Sequence, residues 1–155
     1  MFALPCAAVA AKPVINEPAP DFALKSSTGR NLRLSEYRGD VVLLNFWTKS
    51  CGRCREQLDQ LEALYQAHRD AGFTVISVAV VDHPHDAQEI ADSLRLSFPI
   101  LYDDRKTVAQ LYDPRTLPLT VLIDAHGQVR EIYQRYRRGD ETTYGEQLTA
   151  LLAEK

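Results

Sequence analysis

The chain has 155 residues, of which 45% are hydrophobic and 25% are charged, and its formal net charge is −3. This length suits a single domain with a substantial core. The acidic balance and the lack of a basic stripe give no support to nucleic-acid binding. The three cysteines, Cys6, Cys51 and Cys54, are too few for a scaffold held together by disulfides.

The N-terminal stretch "MFALPCAAVAA" contains no charged side chain. It is typical of the apolar part of a secretory leader that ends in small residues, with its true start further upstream. The alternative is the N-terminal tail of a cytosolic protein. Pro13 and Pro18 follow and favour an extended tether. We therefore expect an apolar leader-like segment and a proline-rich tether over residues 1–19, one domain over residues 20–155, and an extracytoplasmic location, periplasmic or tethered to a membrane.

The rest of the chain alternates between strand and helix patterns. In chain order the patterns predict a hairpin around residues 27–29, a buried central strand at 41–47, a helix after Cys51, a buried strand at 73–81, a helix at 86–96, a short strand at 98–103, a short helix at 106–112, a hairpin of strands 119–123 and 129–136, and a helix at 144–155. Strands that alternate with helices imply parallel strands joined by crossovers, to which the last hairpin adds an antiparallel edge. The fold class is therefore α/β, with a mixed central sheet and helices on both faces.

Cys51 and Cys54 form a CxxC pair where the first long helix begins, just after the central strand. Sites in open α/β sheets favour the carboxyl ends of strands. A thiol at a helix N-terminus meets unpaired backbone N–H groups and the positive end of the helix dipole, and both stabilise the thiolate. We therefore expect Cys51 to be the attacking sulfur and Cys54, one helical turn further on, to resolve a mixed disulfide.

Arg53 lies between the two cysteines. Its positive charge favours a nearby thiolate, which stabilises the reduced pair and makes the couple more oxidising. The alternative is a solvent-facing Arg53 that contributes little.

A metal site is a second interpretation of the cysteine pair. One CxxC supplies two ligands, and the sequence has no second CxxC. His83 and His85 could add ligands, but they flank a proline in a loop after another strand. A third interpretation, two inert core thiols, is disfavoured by the polar residues before Cys51. We expect neither a metal ion nor an organic cofactor.

Three stretches, "VVLLNFWTKSCGRC", "FPILYD" and "LPLTVLIDAHGQV", together resemble the thioredoxin-like thiol–disulfide oxidoreductases. The closer similarity is to the extracytoplasmic branch typified by TlpA, ResA and CcmG. The opening hairpin and first strand of that branch also resemble "APDFALKSSTGRNLRLSEYRGDVVLLNFW". The similarity extends from about Pro20 to Leu152. It implies a thioredoxin-like fold with an extra N-terminal β-hairpin.

The resemblance also implies roles for residues near the cysteines. The family has a cis proline that faces the dithiol, and Pro118, after Leu117, fits this position. A cis X–Pro bond exposes the backbone of the preceding residue, which can then pair with an extended substrate chain. On this basis Trp47, Leu117 and Pro118 are expected to contact the substrate.

Several positions depart from the family pattern. Ser50 replaces a tryptophan before the first cysteine, and Gly52-Arg53 replaces a spacer that often contains proline. Asn45 and Gln57 stand where thioredoxin and the TlpA-like branch, respectively, carry a buried acid. Such an acid helps to remove the proton from the resolving cysteine. Without such an acid, we expect proton transfer either to use water or Glu56, which lies next to Gln57 on the helix, or to be slow.

The resemblance implies an enzyme that acts on protein disulfides through Cys51 and Cys54, more as a reductant than as an oxidant. The implied partners are a protein thiol or disulfide substrate and an upstream electron donor, with a membrane protein as one candidate. In the resembling branch such reductants serve cytochrome c biogenesis or copper-centre assembly. A monomer is expected.

Two other functions remain as alternatives. The first is a peroxiredoxin-like peroxidase, because Thr48 and Cys51 fit the TxxC element of that class, although Leu44 stands where the class has a proline. The second is a non-enzymatic metal chaperone that uses the two cysteines with His83 or His85.

Overall fold

A computed structural model describes residues 12–155 of the chain. The leader-like residues 1–11 lie outside the described residues. Within residues 12–155 the helices and strands are β1 (Ala23–Lys25), β2 (Asn31–Arg33), β3 (Val41–Trp47), α1 (Gly52–His68), β4 (Phe73–Ala79), α2 (Pro84–Ser93), β5 (Ile100–Tyr102), α3 (Thr107–Tyr112), β6 (Leu119–Ile123), β7 (Val129–Tyr133) and α4 (Asp140–Ala153). In this part of the chain, no helix combines the length and apolar character needed to cross a membrane.

Five strands form one mixed sheet in the order β5-β4-β3-β6-β7. Strand β3 pairs in parallel with β4 and antiparallel with β6. All seven residues of β3 are buried, as expected for a central strand that is covered on both faces. Strand β7 pairs antiparallel with β6 at the edge. The mixed α/β sheet with an antiparallel final hairpin is therefore confirmed, as is the N-terminal hairpin of β1 and β2.

The two faces of the sheet bury separate cores. Helices α1, α2 and α4 pack on the face that contains Leu43 and Trp47. Helix α3 and the β1–β2 hairpin region pack on the face that contains Leu44 and Phe46. Because side chains alternate along a strand, neighbouring residues of β3 enter opposite cores. The cysteine-bearing helix α1 therefore lies over the first face.

Two element boundaries differ from the sequence prediction at the C-terminal end. Helix α4 begins at Asp140, four residues before the predicted start at Tyr144. The Glu141 carboxylate accepts a hydrogen bond from Gly139 N at 2.9 Å, which closes the first turn early. Strand β7 ends at Tyr133, because the side chain of Tyr136 turns inward and its hydroxyl donates to Glu141 at 2.7 Å.

The domain makes ordered contacts before the predicted boundary at Pro20. Asn16 N donates to Val129 O at 2.7 Å, and Ala19 N donates to Gly127 O at 2.9 Å. An edge strand has unpaired backbone groups that an added segment can satisfy. From Asn16 onward, the stretch predicted as a tether therefore pairs with the chain around the start of β7.

Candidate active site

The CxxC pair lies at the carboxyl edge of the sheet, where β3 ends and α1 begins. Cys51 is the N-cap residue of α1 and forms a disulfide with Cys54, with the two Cα atoms 5.2 Å apart. Cys51 is half-buried, whereas Cys54 has 0% of its surface exposed. A partner molecule can therefore reach Cys51 but not Cys54.

One backbone N–H of α1 points at the sulfur of Cys51. The backbone N–H of Cys54 donates to Cys51 Sγ at 3.1 Å. After reduction, a thiolate on Cys51 would keep this hydrogen bond and would also meet the positive end of the helix dipole. Both interactions favour the thiolate, which is the nucleophilic form of cysteine.

The loop before β6 lies against the disulfide. Cys51 Sγ is 3.6 Å from the carbonyl oxygen of Leu117, which is a contact rather than a hydrogen bond, because a disulfide sulfur carries no hydrogen. The Leu117–Pro118 peptide bond is cis. Leu117 is half-buried and Pro118 is buried. The structure thus brings Leu117 and Pro118 to Cys51, and their contact with a substrate stays a prediction.

The expectation that Trp47 contacts the substrate is wrong for this structure. The Trp47 side chain is 0% exposed, and its Nε1 donates to Ser77 Oγ at 2.8 Å. As an odd-numbered residue of β3 it enters the same core as Leu43, beneath α1. Its indole is therefore part of the packing and offers no surface to a partner.

Replacing Trp47 with phenylalanine tests this burial. We expect the free energy of unfolding to fall by about 1–3 kcal/mol, because Ser77 Oγ loses its buried donor. Urea titration followed by circular dichroism measures the change. Tyr65→Phe is the matched control, since the Tyr65 hydroxyl makes no hydrogen bond to another described residue, and its expected effect is below about 0.5 kcal/mol. Rapid acrylamide quenching of the chain's single tryptophan would contradict the burial.

A neutral hydrogen-bond network occupies the position expected for a buried acid. Gln57 lies one helical turn after Cys54. Its Nε2 donates to Thr120 Oγ1 at 2.7 Å and to the Tyr144 hydroxyl at 3.2 Å. Its Oε1 accepts from Asn45 Nδ2 at 3.3 Å. The four network side chains, Asn45, Gln57, Thr120 and Tyr144, are all 0% exposed.

No member of this network carries a charge near neutral pH. Asn45, Gln57 and Thr120 do not ionise in this range. Burial raises the pKa of Tyr144, against the opposing effect of its hydrogen bonds to Gln57 and Thr120. The buried residue one helical turn after Cys54 is therefore the neutral Gln57 and not a carboxylate.

One atom of the network lacks a partner. Among residues 12–155, Asn45 Oδ1 is the one buried side-chain nitrogen or oxygen without a hydrogen bond. Leaving such an acceptor unpaired costs about 1–3 kcal/mol. The network is therefore not fully satisfied when the cysteines form their disulfide.

Glu56 and Arg53 lie toward the solvent side of α1. Arg138 Nε donates to Glu56 Oε1 at 2.7 Å in a surface ion pair. Gln57, and not Glu56, occupies the inward position. Arg53 is exposed. Roles for Glu56 in proton transfer and for Arg53 in stabilising the Cys51 thiolate stay predictions.

The two histidines of the metal interpretation lie at the start of α2. His83 is the N-cap residue of α2 and is exposed. His85 Nε2 lies 3.2 Å from Glu89 Oε1. Across residues 12–155, no three His, Cys, Asp or Glu side chains group closely enough to hold a metal ion.

Known proteins are similar to this chain in both sequence and fold. The model of the AhpC/TSA family matches residues 15–132. The thiol-disulfide oxidoreductase ResA of Geobacillus kaustophilus is 35% identical over 118 residues, which cover 76% of this chain and 68% of the relative. ResA of Bacillus subtilis is 30% identical over 114 residues, which cover 74% of this chain and 64% of the relative.

A solved structure extends the similarity to three dimensions. A Chlorobium tepidum protein, provisionally described as the thiol:disulfide interchange protein DsbE, matches with a TM-score of 0.86 and 29% identity, over 91% of this chain and 99% of that one. The thioredoxin-like fold predicted from sequence is therefore confirmed. This chain belongs to the AhpC/TSA family, within the thioredoxin-like branch typified by TlpA, ResA and CcmG.

Proposed function

We propose that this protein is a thiol–disulfide oxidoreductase that reduces disulfides of protein substrates through Cys51 and Cys54. The observation that carries the proposal is the disulfide at the N-terminus of α1, with one sulfur accessible and the other buried. The similarity to thiol-disulfide oxidoreductases over most of the chain supports the same activity.

The reaction consists of two thiol–disulfide exchanges. The Cys51 thiolate attacks one sulfur of the substrate disulfide, and the other substrate sulfur leaves as a thiolate and takes a proton. The Cys54 sulfur, after losing its proton, then attacks Cys51 Sγ in the mixed disulfide. The second substrate sulfur leaves, also takes a proton, and the Cys51–Cys54 disulfide remains. Two electrons pass from the protein to the substrate.

The difference in exposure supports this order of attack. A buried Cys54, at 0% exposure, cannot meet a disulfide on another protein without local opening. It does lie within bonding reach of Cys51, as the disulfide shows. The hydrogen bond from Cys54 N to Cys51 Sγ favours the thiolate at the attacking position. Cys51 is therefore the nucleophile and Cys54 the resolving residue in our proposal.

The remaining features of the proposal rest on the family resemblance. The Cys51–Cys54 disulfide must be reduced again after each turnover, so an upstream dithiol donor is required. A membrane-bound donor is consistent with the TlpA, ResA and CcmG branch. We place the protein outside the cytoplasm, in the periplasm or tethered to a membrane, and we propose that it acts as a monomer.

A single-turnover assay tests the proposed activity. We expect the reduced protein to convert a peptide disulfide to its dithiol in a one-to-one ratio, as liquid chromatography of the peptide measures. Consumption of hydrogen peroxide much faster than that of the peptide would support a peroxidase instead. Stoichiometric binding of zinc or copper(I) without any peptide reduction would support a metal chaperone.

A further inference from the structure

Arginines without carboxylate partners gather on the segments around Cys51. Arg53 lies inside the CxxC spacer, Arg115 precedes the Leu117–Pro118 bond, and Arg135 and Arg137 follow β7. All four are exposed. Within residues 12–155 none of the four forms an ion pair with an Asp or Glu side chain. We call these four residues the arginine rim.

The sheet topology places the segments that carry the rim at the same end of the sheet. Strand β6 runs antiparallel to β3, so its start lies beside the end of β3. Strand β7 runs antiparallel to β6, so its end lies beside the start of β6. Three segments therefore meet at the end of the sheet that holds the disulfide. They are residues 51–56, 113–118 and 134–139, and they carry the rim.

Specific contacts join these three segments. The loop before β6 touches the disulfide, with Leu117 O at 3.6 Å from Cys51 Sγ. Arg115 N donates to Gln134 Oε1 at 3.3 Å, which ties this loop to the end of β7. Arg138 Nε donates to Glu56 at 2.7 Å, which ties the segment after β7 to the first turn of α1. The segments that carry the rim are thus joined to one another and to the disulfide.

The carboxylates on the segments nearest the rim already form ion pairs or accept hydrogen bonds. Those on the rim segments, in the loop after β4 and in the first turns of α2 and α4 have these partners: Glu56 with Arg138, Asp82 with Lys106, Asp86 with Lys49, Asp113 with Lys12, Asp140 with the backbone of Arg137, and Glu141 with Tyr136 and the backbone of Gly139. Four of these carboxylates pair with a cation, whereas Asp140 and Glu141 accept hydrogen bonds only from neutral groups. The four rim arginines therefore outnumber the carboxylates of these segments that have no cationic partner, although the whole chain has a net charge of −3.

We propose that the arginine rim docks an acidic segment beside the disulfide of the protein substrate, an inference that rests on the proposed function. A guanidinium binds a carboxylate with two parallel hydrogen bonds, so unpaired arginines favour Asp and Glu over neutral residues. Arg115 also lines a surface cleft with Gln134, Leu119 and Ile132, and the Lys12–Asp113 ion pair lies in the same cleft. Positive charge around the attacking sulfur also speeds the encounter with an acidic partner.

Three peptides with one identical disulfide test this inference. The residues flanking the cysteines are aspartate in the first peptide, serine in the second and lysine in the third. We expect the reduced protein to react with the aspartate peptide about tenfold faster than with the lysine peptide at low salt. The ratio should shrink between about 0.01 M and about 1 M ionic strength, where the Debye length falls from about 30 Å to about 3 Å.

A rim variant and a matched control locate the effect. The variant R115Q/R135Q/R137Q removes three rim charges and leaves Arg53, which could also affect Cys51 chemistry, in place. It should lose most of the preference for the aspartate peptide over the lysine peptide. The control K25Q/R30Q/R69Q removes three exposed charges on β1, in the β1–β2 turn and after α1, and should keep the preference. Circular dichroism shows whether each variant is folded.

The outcomes separate the two proposals. Equal rates for the three peptides, or a faster lysine peptide, would overturn the arginine rim while leaving the reductase function intact. Loss of the preference in the control variant would also overturn it, because overall charge would then explain the effect. No reduction of the serine peptide would instead contradict the proposed function. The peptide comparison needs no variant, so a variant that fails to fold leaves the inference testable.

Discussion

Cys51→Ser is expected to lower the rate of disulfide reduction by roughly a thousandfold or more, since removal of a nucleophile has effects of this size or larger. Cys51 is the half-buried sulfur at the start of α1, and the N–H of Cys54 points at it. A serine hydroxyl stays protonated near neutral pH and cannot replace the thiolate. The rate with a peptide disulfide measures the effect.

Cys54→Ser should have a different outcome. Cys51 can still attack, but nothing resolves the mixed disulfide, so the protein–peptide adduct accumulates and mass spectrometry detects it. Cys6→Ser is the matched control, because Cys6 lies outside the CxxC pair, and it should retain the full rate. An adduct on Cys54 in the Cys51→Ser variant, at a rate equal to that on Cys51, would show that the assigned order of attack is wrong.

The buried hydrogen bonds of Gln57 are expected to contribute strongly to stability. Gln57→Leu is expected to lower the free energy of unfolding by about 2–4 kcal/mol, because Asn45 Nδ2 loses its acceptor, and Thr120 and Tyr144 lose a common donor. Denaturant titration measures the change. Gln60→Leu on the same helix is the control, since Gln60 is only half-buried and its side chain makes no hydrogen bond to another described residue. Equal losses in both variants would show that the network contributes little.

Gln57→Glu adds a pH signature to this test. Burial should raise the pKa of the new carboxyl above its unfolded value of about 4.3. Below that value the acid is neutral in both states and keeps some hydrogen bonds, so the variant should approach the stability of the parent. As the pH rises from about 4.3 toward the folded-state pKa, the carboxyl ionises in the unfolded state but stays protonated in the folded state. This ionisation lowers the free energy of the unfolded state, so the variant loses stability. A pH-independent difference between the two proteins would contradict a buried position for residue 57.

The sequence predicts the scaffold well because its signals are local. The apolar run from Val41 to Trp47 is long enough to require cover on both faces, and it forms the central strand. A CxxC pair directly after such a run falls at the start of the next helix, where the structure has it. These inferences needed only the order of residues along a short stretch.

The sequence predicts the surroundings of the cysteines less well, because they depend on distant contacts. Gln57 bonds to Thr120 and Tyr144, which are 63 and 87 positions away in the chain. The only signals were a threonine within an apolar strand and a tyrosine on an amphipathic helix, and neither identifies its partner. The sequence did not predict the burial of Trp47 for a similar reason. A strand that is apolar on both faces does not show which of its residues approach the surface.

The reduction potential of the Cys51–Cys54 couple, measured by equilibration with a reference dithiol at pH 7, tests the proposed redox function most directly. For a reductant we expect a reversible two-electron couple near about −270 mV, in the range of thioredoxin. A value near about −120 mV, in the range of strong oxidants, would contradict the proposed direction of electron flow. Failure of the two cysteines to interconvert reversibly would contradict the redox function itself.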